Sequence, residues 1–147
     1  MELDTKRVTE IVCKYLRGQG HWAVIPNVYI VRGVEVDIFS IKVKNVIDVE
    51  VKISRGDFAR DIRKRKHRMI KRGKYPANFF YYACPAGLIQ PSECPKYAGL
   101  LWIYQDGTVR RKKEPKRIQR RPQRDKVLLR VTQKLDKRYR KLSLALR

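Results

Sequence analysis

A mixed α/β fold, in which helices pack on a sheet of parallel and antiparallel strands, is predicted by three features of the 147-residue sequence. Apolar residues recur at helical spacing near the start, three extended segments follow in close succession, and an aromatic-rich strand comes after a second helical pattern. The elements follow in order. Residues 5–17 place Val8, Ile11, Val12, Tyr15 and Leu16 on one helical face, and Gly18 and Gly20 stop that helix. Residues 21–31 read as extended, interrupted at Pro26 and Asn27. Arg32-Gly33 turns the chain into a strand over 34–42, and Lys44-Asn45 turns it into another over 46–54, which completes a meander.

Ser54 and Asp57 suit the start of a second helix of about fifteen residues, with Phe58, Ile62, Met69 and Ile70 on its inner side and a basic outer side that includes His67. Gly73 and Pro76 end it. Residues 78–84, with Phe79, Phe80, Tyr81 and Tyr82, read as an interior strand, which after a helix pairs in parallel. A loop or short helix over 85–95 leads to strands at 98–104 and 108–112 around Asp106-Gly107, a hairpin that adds an antiparallel edge. Residues 113–123 read as a linker. Leu128, Val131, Leu135, Tyr139 and Leu142 then mark a terminal amphipathic helix over about 125–142.

The division expected is a domain over 1–112 and a basic extension over 113–147. The chain carries 36 Lys and Arg against 14 Asp and Glu, a formal charge of +22, and 17 of the basic residues against 3 acidic ones fall from Arg110 onward. Such a surplus repels itself unless a polyanion relieves it, so DNA is the expected partner, with RNA left open. No segment reaches the roughly 20 apolar residues that cross a bilayer, and the expected setting is cytoplasmic, without a membrane partner. Cys13, Cys84 and Cys94 are odd in number and lack CxxC spacing, which argues for reduced thiols over a disulfide framework or a zinc site.

Alternation along a strand puts Glu35 and Asp37 on one face of 34–42, opposite Val34, Val36 and Ile38. It puts Asp48, Glu50 and Lys52 on one face of the next strand, opposite Val49, Val51 and Ile53. Clustered acids on so basic a chain need a cation between them, and hard carboxylate oxygens suit Mg²⁺ or Mn²⁺. Asp37 and Glu50 are the expected metal ligands, joined by a main-chain carbonyl. Lys52, roughly 6 to 7 Å along the strand from Glu50, is placed to stabilise charge on a scissile phosphate.

Asp37 followed by Glu50-Val51-Lys52 resembles the D…ExK signature of the PD-(D/E)XK nuclease superfamily, and the stretch from Val51 to Phe58 resembles bacterial and phage members with a Ser-x-x-Asp-Phe turn. The resemblance spans roughly residues 5–84. It implies a restriction-endonuclease-like αβββαβ core and a metal-dependent endonuclease acting on DNA in repair, recombination or phage processing. It further implies Asp37, Glu50 and Lys52 as catalytic residues and Asp37, Glu50 and the Val51 carbonyl as metal ligands. Small basic Holliday-junction resolvases of this superfamily are dimers, so a homodimer is admitted. Arg55, Arg63, Lys64, Lys66, Arg68, Lys71 and Arg72 are the expected nucleic-acid contacts. Glu10, the first-helix acid that many members use, falls nearly opposite Val8 and Tyr15 and is expected in solvent; Glu35 and Asp48 are candidates to assist. The alternatives are a DNA- or RNA-binding protein that keeps the fold without cutting, and a nucleoprotein component, which leaves the acids unexplained.

Overall fold

The computed structural model describes residues 2–146. Asp4 caps the first helix, α1 (Thr5–Gly18), by accepting from Arg7 N at 2.7 Å, and the helix buries Val8, Ile11, Val12 and Leu16 as their spacing requires. The meander comprises β1 (Ala23–Val31), β2 (Val34–Lys42) and β3 (Asn45–Val51), each antiparallel to the next. Its second turn is Val43-Lys44 rather than Lys44-Asn45, since Lys42 pairs with Asn45. Val43 therefore occupies the left-handed region at φ 57, an uncommon place for a β-branched side chain.

β3 ends three residues earlier than expected. The β2–β3 ladder stops at the Ile38–Val49 pair, and the next outward-facing N–H, that of Val51, is taken by the Asp37 carboxylate instead of by a strand. Across from Asp37, Asn27 sits at φ 55 between the Pro26–Ile38 and Val28–Val36 pairs. Past this irregularity Val34 and Val36 join the apolar cluster of Phe39 and Ile41, while Ile38 joins the cluster under α1. The uniform alternation expected for Val34, Val36 and Ile38 is thereby broken.

The basic stretch expected as one helix forms two, α2 (Arg55–Asp61) and α3 (Arg65–Lys71), separated where Lys64 turns extended. On an unbroken helix, at about 100° per residue, Ile62 lies beside Phe58 and His67 lies opposite it. The break reverses both: Ile62 is exposed and His67 is wholly buried.

β4 (Phe79–Pro85) pairs parallel with β3, β5 (Ala98–Ile103) pairs parallel with β4, and β6 (Val109–Lys113) closes an antiparallel hairpin. The six strands thus lie in chain order in one mixed sheet. Gly99 lets β5 approach closely, because a Cβ there would meet Tyr81 Cδ1 at 2.6 Å. The hairpin turns at Gly107, φ 87, with Thr108 N donating to Asp106.

Residues 114–123 lie along the sheet: buried Asn78 donates to the Gln119 and Arg121 carbonyls, and Ile118 N donates back to Asn78 O. The last helix, α4 (Arg124–Ala145), buries Val127 and Val131 against β1 and its neighbours. The stripe expected on it is packed only in this first half, since Tyr139 and Leu142 are about two-thirds exposed at 71% and 66%. Helix α1 covers one sheet face; α2, α3 and α4 attend the other. All three cysteines are buried and free, and no helix among the described residues is long and apolar enough to cross a membrane.

Candidate active site

Where β2 leaves β3, Asp37 and Glu50 come together on the face opposite α1. Asp37 Oδ2 accepts from Val51 N at 2.7 Å, and its carboxyl lies beside that of Glu50, close enough for each to shift the other's titration. Burial and then the neighbouring Glu50 push Asp37 up to about 7. Burial would raise Glu50 too, but the Lys66 ammonium and the hydrogen bond from Asp37 outweigh it and hold Glu50 below its ordinary value. The pair as a whole therefore holds a proton more tightly than an isolated carboxyl does. An open depression of about 350 Å³, lined by Glu35, Glu50, Lys64 and Arg65 among others, leads to Glu50 from solvent.

The lysine on Glu50 is Lys66. Its Nζ lies 2.8 Å from Glu50 Oε1 and 2.8 Å from Asp48 Oδ2, and the side chain is 3% exposed. This corrects the expectation that Lys66 contacts nucleic acid: the break between α2 and α3 turns it into the core, where two carboxylates neutralise it. Burial would lower its pKa, but Asp48 and Glu50 raise it on balance. Asp48 is wholly buried. It also accepts from the Tyr75 hydroxyl at 2.6 Å, and its Oδ1 has no hydrogen-bond partner among the described residues. Burial raises its carboxyl in spite of Lys66.

Lys52, although it follows Glu50 by two residues, sets its ammonium 3.0 Å from Asp61 Oδ1. Asp61, at the end of α2, is fully buried. Its Oδ2 accepts from the Tyr82 hydroxyl and from His67 Nε2, each at 2.6 Å, and Lys64 Nζ lies 3.4 Å from Oδ1. Burial would raise Asp61, yet these hydrogen bonds and Lys52 drive it far below the usual carboxylate range. Since an ionised carboxylate only accepts, it fixes a proton on His67 Nε2, while Nδ1 pairs with the Tyr97 hydroxyl at 2.6 Å. His67 thus holds a carboxylate in the interior and does not lie on the solvated helix face expected for it.

Of the other basic residues expected at nucleic acid, Arg63, Lys64, Arg68, Lys71 and Arg72 are exposed. Arg55 is exposed as well, but its guanidinium already holds Glu93 and the Leu88 carbonyl. Glu10 points to solvent beside Arg7, on the helix that covers the opposite sheet face.

The fold recurs in a solved structure. It is similar to that of the SPO1766 protein of unknown function from Silicibacter pomeroyi, with a TM-score of 0.71 over 97% of this chain and 94% of that one, at 19% sequence identity. No family model and no curated protein matches the chain. The likeness extends over nearly the full length of both chains and concerns the fold alone.

The D…ExK spacing leads to Asp37, Glu50 and Lys52, but not to Asp61, Lys66, His67 or the tyrosines that complete their surroundings. One signal for Asp61 is present. It stands three residues after Phe58, which puts an acid on the apolar side of α2 and calls for a buried cation to meet it.

Proposed function

We propose that this chain is a metal-dependent nuclease with a PD-(D/E)XK, restriction-endonuclease-like core, hydrolysing DNA phosphodiesters at the Asp37–Glu50 pair. The reading is carried by the meeting of these two carboxyls at the fork between β2 and β3, with one oxygen of each left over after Val51 N and Lys66 have taken the other. Two hard-oxygen donors that trap a proton between them near neutrality fit a divalent cation, which would take the proton's place. Asp37, Glu50 and, by the resemblance, the Val51 carbonyl would hold Mg²⁺ or Mn²⁺; water and phosphate oxygens complete the set that such ions accept. When bound, the ion supplies Lewis acidity toward water and the phosphate.

The chain's own residues do the rest. Lys66 keeps Glu50 ionised. Lys52 offers an ammonium to the phosphate, and Asp61, braced by His67 and Tyr82, keeps that ammonium near the fork until an anion competes for it. Arg63, Lys64, Arg68, Lys71 and Arg72 give the strand a cationic bank, where they neutralise phosphates without reading bases.

One observation favours a second reading, a DNA- or RNA-binding protein that does not cut. Among the described residues no group of three or more His, Cys, Asp or Glu is placed to hold a metal, and Glu50 is already paired with Lys66. Labelled linear, single-stranded and four-way-junction DNA incubated with wild type, Glu50→Gln and Lys52→Ala, each in Mg²⁺, Mn²⁺ or EDTA, separates the two. Cutting by wild type alone, with metal alone, is the expected result. Tight binding without cutting under every condition sinks the nuclease.

A further inference from the structure

A cavity of about 190 Å³ opens on the other face of the sheet, between the end of α1 and the starts of β3 and β4. Its β3 lining residues, Asn45 and Ile47, lie about 10–17 Å along that strand from Glu50 at the carboxylate fork, and on the opposite face. Its walls are aromatic, formed by Tyr15, Phe79 and Tyr81, and its polar side is set by His21, Lys42 and Arg111. Arg117 stands over the Phe79 ring at 4.8 Å and donates to Asn45 Oδ1 at 3.0 Å, which brings a further cation to the rim. Among the described residues that line it, Glu114 is the one carboxylate, and it is tied to Arg111 at 3.1 Å.

This combination selects a ligand. A bare phosphate leaves the aromatic walls unused, and a neutral ring leaves the cations unused, whereas a planar base joined to a phosphate satisfies both. At about 190 Å³ the cavity is too small to enclose a whole nucleotide, so it would take the base and leave the phosphate at its open, cationic rim, and it excludes a duplex.

We propose that this cavity binds a single nucleoside monophosphate, free or as the unpaired end of a strand, with the phosphate at Lys42 and Arg111 and the base among Tyr15, Phe79 and Tyr81. The positive potential that the proposal needs is felt by His21. Burial first, then Lys42 and Arg111, lower its imidazole to about 4, and Nδ1 is engaged by the Ser40 hydroxyl.

His21 is also the reporter. The chain has two histidines, and His67 is sealed on the opposite face, so imidazole NMR signals of the full chain in EDTA distinguish this site from the carboxylate fork. The probes are thymidine 5′-monophosphate, thymidine and inorganic phosphate. The monophosphate is expected to shift His21 saturably and leave His67 still. Thymidine and phosphate alone should bind about tenfold or more weakly, and Lys42→Ala, a change at an exposed residue, should weaken the monophosphate by about tenfold, the size of one lost charged hydrogen bond. A silent His21, an equal shift with phosphate alone, or unchanged affinity in Lys42→Ala overturns the site. Single strands with and without a 5′-phosphate decide the source: tighter binding of the phosphorylated strand assigns the site to strand ends, and tighter binding of the mononucleotide assigns it to free nucleotide.

Discussion

Replacing Lys66 by methionine keeps most of the apolar stem and removes the ammonium, with its charge and its hydrogen-bond donors. In the folded protein that ammonium lies 2.8 Å from Asp48 Oδ2 and from Glu50 Oε1, with Asp48 fully buried and Glu50 4% exposed. Deleting one partner of a buried ion pair costs about 3–5 kcal/mol, because the remaining charge stays desolvated. The folded chain limits the loss by taking up protons. With Lys66 gone, the Asp48 and Glu50 carboxyls both have folded pKa values above their unfolded ones, so the native state binds more protons than the unfolded state above about pH 4. Stability then falls as pH rises. Urea unfolding of wild type and Lys66→Met at pH 5 and pH 8 reads this directly, and the deficit is expected to be larger at pH 8. A variant within about 0.5 kcal/mol of wild type at both values, as a solvated lysine gives, refutes the burial of Lys66 and its part in the site.

Two further outcomes follow from the geometry. Asp37, raised to about 7 in the folded state, ionises earlier in the unfolded chain, so in EDTA it lowers stability progressively from about pH 4 to 7, by at most about 4 kcal/mol. Asp37→Asn should remove that slope in urea melts, and Mg²⁺ should raise the wild-type melting temperature more at pH 8 than at pH 5; superimposable slopes for the two proteins contradict the shared proton. Gly99→Ala sets a methyl group 2.6 Å from Tyr81 Cδ1 and should cost about 1–3 kcal/mol in a thermal or urea melt, whereas an unchanged melt shows that Tyr81 has room to move.

Most of the framework was legible because local patterns dominate it. The stripe Val8, Ile11, Val12 and Leu16, the aromatic run of β4 and the Asp106-Gly107 turn each state their element within a few residues. The meander also places Asp37 and Glu50 side by side from chain order alone. What escaped depends on distant partners. By charge alone Lys66 is indistinguishable from the lysines and arginines around it; only Asp48 and Glu50, on another element, make it interior. The break after Asp61 is likewise invisible to helical periodicity, which scores Ile62 as core and His67 as surface, because the competing gain comes from Lys52, Tyr82 and Tyr97. On α4 the apolar spacing continues past Val131, yet the sheet beneath it does not.

The short non-helical joint between α2 and α3 also acts as a phase setter for the basic run. Between Arg60 and Arg72 the chain has eight lysines and arginines, and this joint decides that Lys66 alone among them is buried. Deleting one residue from 62–64 would turn α3 by about 100° relative to α2 and present a different cation to Asp48 and Glu50 without changing the composition of the run. Outside, lysine and arginine are interchangeable to a first approximation. At position 66 they are not, for the buried space between Asp48 and Glu50 is filled by a compact ammonium, and a longer, planar guanidinium would have to displace its neighbours. Tolerance to substitution among the eight basic residues of this segment should therefore be sharply uneven, with Lys66 the one intolerant position among cations that look alike.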